Sequence, residues 1–196
     1  KRFQALGHKT VLLVGDFTAR IGDPSGKTAQ RKPLSEKEVA QNAKTYKEQA
    51  GKILEPKIDF NSKWLKKLTF GKILELASGF TVQQMLARDM FQVRIKKDLP
   101  IGLHEFLYPI MQGYDSLALK TDAEVGGSDQ LFNMLVGRDL VKRYLDKEKF
   151  VVTTKLLIDP ASGAKMSKSE GNLVALSDPP NDMYAKVMAF PDELVG

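Results

Sequence analysis

Residues 10–16 read TVLLVGD, an unbroken apolar run rich in β-branched side chains that stops at Gly15. A strand with one wet face alternates polar and apolar residues. This run does not alternate, so it is expected to be a strand buried on both faces, as in a parallel sheet covered by helices. Residues 17–33 follow, rich in Gly, Ser, Thr, Pro and basic residues, which is the composition of a long loop that carries function. Ser35 and Glu38 then form a capping-box pattern at the head of a periodic segment ending at Gly51. Strand, loop and helix in that order open an α/β layer fold.

The middle of the chain changes character. Residues 62–68, 72–77 and 82–97 are helix-like, with breaks at 69–71 and 78–81. Thr81 and Gln84 make a second capping box, and Val82, Met85, Leu86 and Met90 keep near-helical spacing. This stretch is expected to be core-facing helix, inserted into the sheet domain. Residues 103–119 read as another helix despite Pro109. The glycine pair of EVGGSDQ (124–130) ends a short extended segment and leads into a helix from about 128 to 145. Residues 150–159 supply two strand candidates around Lys155, 165–172 (KMSKSEGN) form a polar loop, and a last helix covers 182–189. The expected architecture is a Rossmann-like, doubly wound parallel sheet interrupted by helices.

Composition narrows the chemistry. The 196 residues are 42% hydrophobic and 28% charged, enough for a sizeable core. No apolar run approaches the roughly 20 residues of a membrane span. There is no cysteine, which excludes disulfides, thiolate metal sites and a cysteine nucleophile; two histidines make a multi-histidine zinc site implausible. His8 and His104 are therefore expected to be structural, and Trp64 to be a packing anchor. The formal charge of +6 suits a polyanionic partner. The chain opens on Lys1 with no signal-peptide pattern, which reads as a piece of a longer, cytoplasmic protein.

Four segments could carry chemistry. GDPSGKT (22–28) resembles a P-loop, but the first glycine of that pattern falls at Ile21, so a nucleotide-cradling P-loop is rejected. Asp23 is then its functional candidate, set against a solvated turn, with Lys27 and Arg31 placed to meet phosphate. Tyr108, Gln112 and Asp115 fall at i, i+4 and i+7 and share one helix face. Such a phenol, amide and carboxylate could hold an ammonium and a hydroxyl, or simply form a surface stripe. Gly126 and Gly127 would let a ligand approach backbone at a helix start, where N–H groups favour an anion. There Asp129 could take a ribose diol and Gln130 a carboxylate or amide. Lys165 and Lys168 bracket Met166 and Ser167 in a loop between Gly163 and Gly171, and could clamp a polyphosphate.

Taken together these segments resemble one family. KMSKS (165–169) with GDFTARIGDPSGK (15–27), YPIMQGYDS (108–116) and GGSDQ (126–130) is similar to the bacterial-type tyrosyl-tRNA synthetases of class I, over essentially the whole chain. The resemblance implies ATP-dependent formation of tyrosyl-adenylate and transfer of tyrosine to tRNA(Tyr). Asp23, Tyr108 and Gln112 would hold the substrate ammonium, Asp115 would accept the phenolic hydroxyl, and Gln130 would approach the carboxyl end. Gly127, Asp129, Lys165, Met166 and Lys168 would contact ATP, and Lys165, Lys168, Lys27 and Arg31 would serve the phosphates during catalysis. ATP is implied as a substrate with Mg2+, without a tightly bound cofactor, a metal site in the protein or a membrane partner.

By the same resemblance, 1–160 is an N-terminally truncated Rossmann-like catalytic domain. Its helical connecting insertion, about 57–103, is where the family forms homodimers. Residues 161–196 would be the KMSKS loop and the start of the next helical region. The family's HxGH-type ATP motif is expected upstream of Lys1, so the piece is expected to catalyse little by itself. Two alternatives stand beside this reading: a tryptophanyl-tRNA synthetase, and a non-catalytic RNA-binding protein with the same fold.

Overall fold

The computed structural model describes residues 1–25, 35–55, 57–158, 166, 173–190 and 192. Two parallel strand pairs organise it. β1 (Val11–Val14) pairs in parallel with β2 (Lys57–Phe60), Leu12 opposite Ile58 and Val14 opposite Phe60. The crossover between them is the helix α2 (Glu36–Gly51), whose first turn is closed by the expected capping box. Glu38 N–H donates to Ser35 Oγ at 3.3 Å, and Ser35 N–H donates to Glu38 Oε2 at 2.8 Å. β3 (Ala123–Gly127) pairs in parallel with β4 (Phe150–Thr154), Glu124 opposite Val151 and Gly127 opposite Thr154. Its crossover is α8 (Leu131–Leu145), entered through a 3-10 turn at Ser128–Gln130. Each pair is a βαβ unit, the repeat from which doubly wound folds are assembled.

Between the two units lie the helices α3 (Ser62–Leu65), α4 (Phe70–Ala77), α5 (Val82–Leu86), α6 (Asp89–Lys96) and α7 (Leu103–Leu119). A single turn, α1 (Arg2–Ala5), precedes β1, and α9 (Pro180–Met188) follows the last described loop. Four details differ from the sequence reading. Residues 57–60, expected at the start of the helical insertion, are the strand β2. Four residues are too few for periodicity to separate strand from helix, and pairing with β1 decides. The single helix expected over 82–97 breaks into α5 and α6, because Arg88 adopts extended backbone (φ −70°, ψ 134°) as the cap of α6. Of the two strand candidates around Lys155, the first is β4; after it the Leu157 carbonyl accepts from Met166 N–H at 2.8 Å. β1 is also less covered than its composition suggested, with Val11 42% exposed and the rest of the strand half-buried. Among the described residues its only strand partner is β2.

The core sits where α7 packs on α8. Leu76, Met85, Ile110, Val136 and Leu140 are buried against one another, flanked by Phe80, Phe106, Phe132 and Tyr144. Gly113 permits the close approach: a Cβ there would lie 2.8 Å from Val136 Cγ1 and 3.0 Å from the Gly137 backbone nitrogen. A buried ion pair braces the start of α7. Arg94 reaches both Glu105 oxygens, at 2.6 and 2.9 Å, and also donates to the Pro100 carbonyl. Burial pushes the Glu105 carboxyl up, but Arg94 and the Gly102 N–H outweigh it and leave it below its ordinary value. Among the described residues no helix is long and apolar enough to cross a membrane.

Candidate active site

The carboxyl ends of the strands, where parallel sheets bind ligands, deliver the polar residues to one region. β1 hands over to Asp16, a 3-10 turn at Thr18–Arg20 and the loop through Asp23 and Ser25. Asp23 follows Gly22, whose φ of +88° is a conformation that favours glycine. β2 hands over to Asn61 and α3, and β3 to Gly127, Asp129 and Gln130. α7 lies across these ends, with Asp115 buried and Tyr108 and Gln112 half-buried. The Asp115 end of the stripe therefore faces inward, while Tyr108 and Gln112 keep part of their surface open.

Asp115 is held by groups on α3 and the turn before it. Trp64 Nε1–H donates to its Oδ1 at 2.7 Å, and Asn61 Nδ2 donates to its Oδ2 at 3.1 Å. The orientation of Asn61 is forced. Its Oδ1 accepts the Phe17 backbone N–H at 2.9 Å, a group that can only donate, so Nδ2 must turn toward Asp115 and Thr18 Oγ1. Asp16 fixes this corner by accepting from Ser62 N–H at 2.9 Å and Ser62 Oγ at 2.5 Å. Burial dominates the electrostatics of Asp115 and lifts its pKa to about 7. The two donors oppose the rise, while the charges of Glu124 and Asp16 add to it. The result is a carboxylate poised near neutrality with an oriented pair of oxygens, suited to accepting one more hydroxyl.

A second chain of bonds runs from Asp23. Its Oδ1 accepts Ser25 N–H and its Oδ2 accepts Gln130 Nε2, both at 2.9 Å. With its nitrogen committed, Gln130 turns Oε1 to Asn133, whose Nδ2 also donates to Gln112 Oε1; these bonds measure 3.1 and 3.0 Å. Each amide orientation follows from the one before, beginning at an acceptor-only carboxylate. Asp23 and Gln112 each keep lone pairs for a further donor, as an ammonium would require. Arg88, 8% exposed, donates to Ser25 Oγ at 2.8 Å and lies over Phe132. Burial lowers its pKa to about 10, with Asp23 and Tyr108 opposing, so it is charged at neutral pH. Tyr108 thus stands near the Asp23 cluster. Gly127 has a local reason to be glycine: a Cβ would lie 2.6 Å from Asp129 Oδ1 and 2.9 Å from Leu156 Cδ2.

Asp23, Gln112 and Gln130 are thus joined in one network, while Asp115 belongs to a neighbouring one. Lys27, Arg31, Lys165 and Lys168 lie outside the described residues; Met166 is described through its backbone bond to Leu157. Asn61, Arg88 and Asn133 were not singled out from sequence. The available signals were an Asn directly after a short strand, an Arg-Asp step inside a helical pattern, and an Asn between Phe132 and Met134 in an apolar helix. Trp64, expected as a packing anchor, also donates to Asp115. Among the described residues no group of three His, Cys, Asp or Glu side chains could hold a metal ion.

Two βαβ units with polar residues gathered at their strand ends, joined by a helical segment, define a Rossmann-like α/β domain. A family model for tRNA synthetases class I (W and Y) matches residues 1–195, and the chain belongs to that family. The tyrosine–tRNA ligase of Thermotoga maritima is 51% identical over 198 aligned positions, covering 100% of this chain and 49% of that protein. Among solved structures, a C-terminally truncated mitochondrial tyrosyl-tRNA synthetase of Coccidioides posadasii superposes with a TM-score of 0.71. It is 26% identical and covers 96% of this chain and 59% of that one. The tyrosyl-tRNA synthetase of Archaeoglobus fulgidus, solved with L-tyrosine, gives a TM-score of 0.69 at 25% identity, covering 95% and 56%. The chain spans about half the length of the curated relatives it matches.

Proposed function

We propose that the full-length protein containing this chain activates tyrosine with ATP and transfers it to tRNA(Tyr). The observation that carries the choice of tyrosine is Asp115, a buried carboxylate oriented by Trp64 and Asn61 as a hydroxyl acceptor. The similarity to tyrosine–tRNA ligases at about half identity supports it independently. In this reading the tyrosine hydroxyl donates to Asp115, and its ammonium meets Asp23, Tyr108 and Gln112. Gln130 lies toward the carboxylate. One carboxylate oxygen attacks the α-phosphorus of ATP, forming the acyl–phosphate bond as the bond to the bridging oxygen breaks and pyrophosphate leaves. Lys165, Lys168, Lys27 and Arg31 would balance the charge on the departing phosphates, while Gly127, Asp129 and Met166 hold the nucleotide. Mg2+ belongs to the ATP polyphosphate as part of the substrate. No protein nucleophile is needed, and positioning with charge stabilisation supplies the rate.

The second step places the tRNA acceptor end against the adenylate, and the +6 formal charge favours that polyanion. We assign residues 1–160 to the catalytic domain, 161–196 to the KMSKS loop and the region after it, and the protein to the cytoplasm, where tRNA, ATP and tyrosine meet. Homodimerisation through the helical segment within 57–103 is supported by its uncovered apolar side chains: Phe70, Leu74, Val82 and, at its end, Leu103 are all exposed.

The test is thermal stabilisation of the full-length protein by a non-hydrolysable tyrosyl-adenylate mimic beside its tryptophanyl counterpart. A ligand that binds only the folded state raises the melting temperature. Selective stabilisation by the tyrosyl compound is expected. Preference for the tryptophanyl compound would move the protein to the tryptophan branch, and no shift with either would leave an RNA-binding protein of the same fold.

A further inference from the structure

On the far side of the hydroxyl-facing corner of α7 lies a polar cluster that the substrate roles leave unused. Lys149, the residue before β4, is 2% exposed. Its ammonium donates to Ser116 Oγ at 2.8 Å, to the Met134 carbonyl at 3.1 Å and to the Glu124 carboxylate. Three donors meet three acceptors, so the cation is fully satisfied. Ser116 Oγ also lies 2.9 Å from Glu124 Oε2. One buried ammonium thus joins α7, α8, β3 and the entry to β4. Gly137 on α8 makes room for it, since a Cβ there would stand 2.7 Å from Lys149 Nζ and 2.8 Å from Ser116 Oγ.

An apolar side chain would join these elements without the cost of desolvating a cation, so the charge itself invites an account. Ser116 directly follows Asp115 on α7. Glu124 is one of two carboxylates whose charge opposes ionisation of Asp115; Asp16, at the end of β1, is the other. Lys149 stands behind Glu124, with Arg138 of α8 near it. From α3 and the turn before it the groups facing Asp115 are the neutral Trp64 and Asn61, and on α7 its titratable neighbour in sequence is Tyr114.

We propose that Lys149 is a positioning residue for hydroxyl recognition: anchored on Ser116 and paired with Glu124, it holds Asp115 in register and offsets the Glu124 charge that would otherwise weaken Asp115 as an acceptor. This deepens the reading of Asp115 as the tyrosine-hydroxyl acceptor and rests on it for the substrate alone. In full-length protein labelled with carboxyl-13C aspartate, Asp115 can be titrated directly, its signal assigned by its loss in Asp115→Asn. Lys149→Met is expected to move the Asp115 midpoint up by about one pH unit and to weaken tyrosine binding at pH 7 by up to about tenfold. Glu124→Gln should move the midpoint down. The double variant, which restores charge balance, should return toward the parent value. Should Lys149→Met fail to fold, Glu124→Gln and the double variant still carry the test. Midpoints unmoved in the variants would overturn the proposal, as would a loss of affinity in Lys149→Met that is equal at every pH and equal for phenylalanine. A midpoint that shifts as expected in a protein without preference for tyrosine over phenylalanine would support the coupling and overturn the substrate reading instead.

Discussion

At Asp115 stability and recognition pull in opposite directions. An unfolded aspartate titrates near 3.9, whereas burial holds this one at about 7. The folded chain therefore binds an extra proton between those values. The stability linked to this group is full below about pH 4 and is lost as pH rises through about 7, by about 4 kcal/mol in all. Asp115→Asn removes the ionisation. Its melting temperature relative to the parent protein should rise as pH goes from 5 to 8, a trend that calorimetry at several pH values would read. The same variant should bind tyrosine 10- to 100-fold more weakly, as expected for losing a hydrogen bond to a charged acceptor, while phenylalanine binding changes little. Equal losses for both amino acids would remove the hydroxyl assignment. Lys168→Ala separates the other half of the site: tyrosine affinity should persist while adenylate formation, followed by pyrophosphate exchange, slows.

Among elements, α7 matters most because it carries the stripe proposed to meet the substrate and packs on the helix behind it. Its start is held by Arg94 and Glu105, a buried pair with bidentate geometry. Arg94→Met should cost about 3–5 kcal/mol in denaturant unfolding, since Glu105 is then left charged and unpaired. Adding Glu105→Leu should recover part of the loss, which a purely steric role for Arg94 would not allow. Halfway along, Gly113 sits against Val136 and the α8 backbone. Gly113→Ala has nowhere to put its methyl and should destabilise by roughly 1–3 kcal/mol. The break between α5 and α6 serves the site in another way, because it turns Arg88 toward Ser25 beside Asp23.

At the scale of the whole molecule, the two parallel pairs present their strand ends to one region, and α7 closes over it. The helical segment that connects them leaves Phe70, Val82 and Leu103 between 64 and 80% exposed. On the proposed homodimer, Phe70→Asp in the full-length protein should shift the equilibrium toward monomer, as read by light scattering across a concentration series. An unchanged mass would overturn a dimer contact at this face. Sequence and structure divide the explanation unevenly. Both capping boxes, α7 and α8, the glycine pair and the motif residues were legible in the chain, because each is set by near neighbours: a cap three residues from its partner, a stripe on one helix face. β2, the kink at Arg88 and the partners Asn61, Trp64 and Asn133 were not, since each depends on residues 20 to more than 60 positions away. The sequence alone therefore determined the family, the elements and the residue types available to bind a hydroxyl, an ammonium and phosphates. Only the tertiary structure decided that Asp115 is buried within reach of the charges of two other carboxylates and oriented by an indole and an amide, because desolvation and pairing are properties of what the fold brings together.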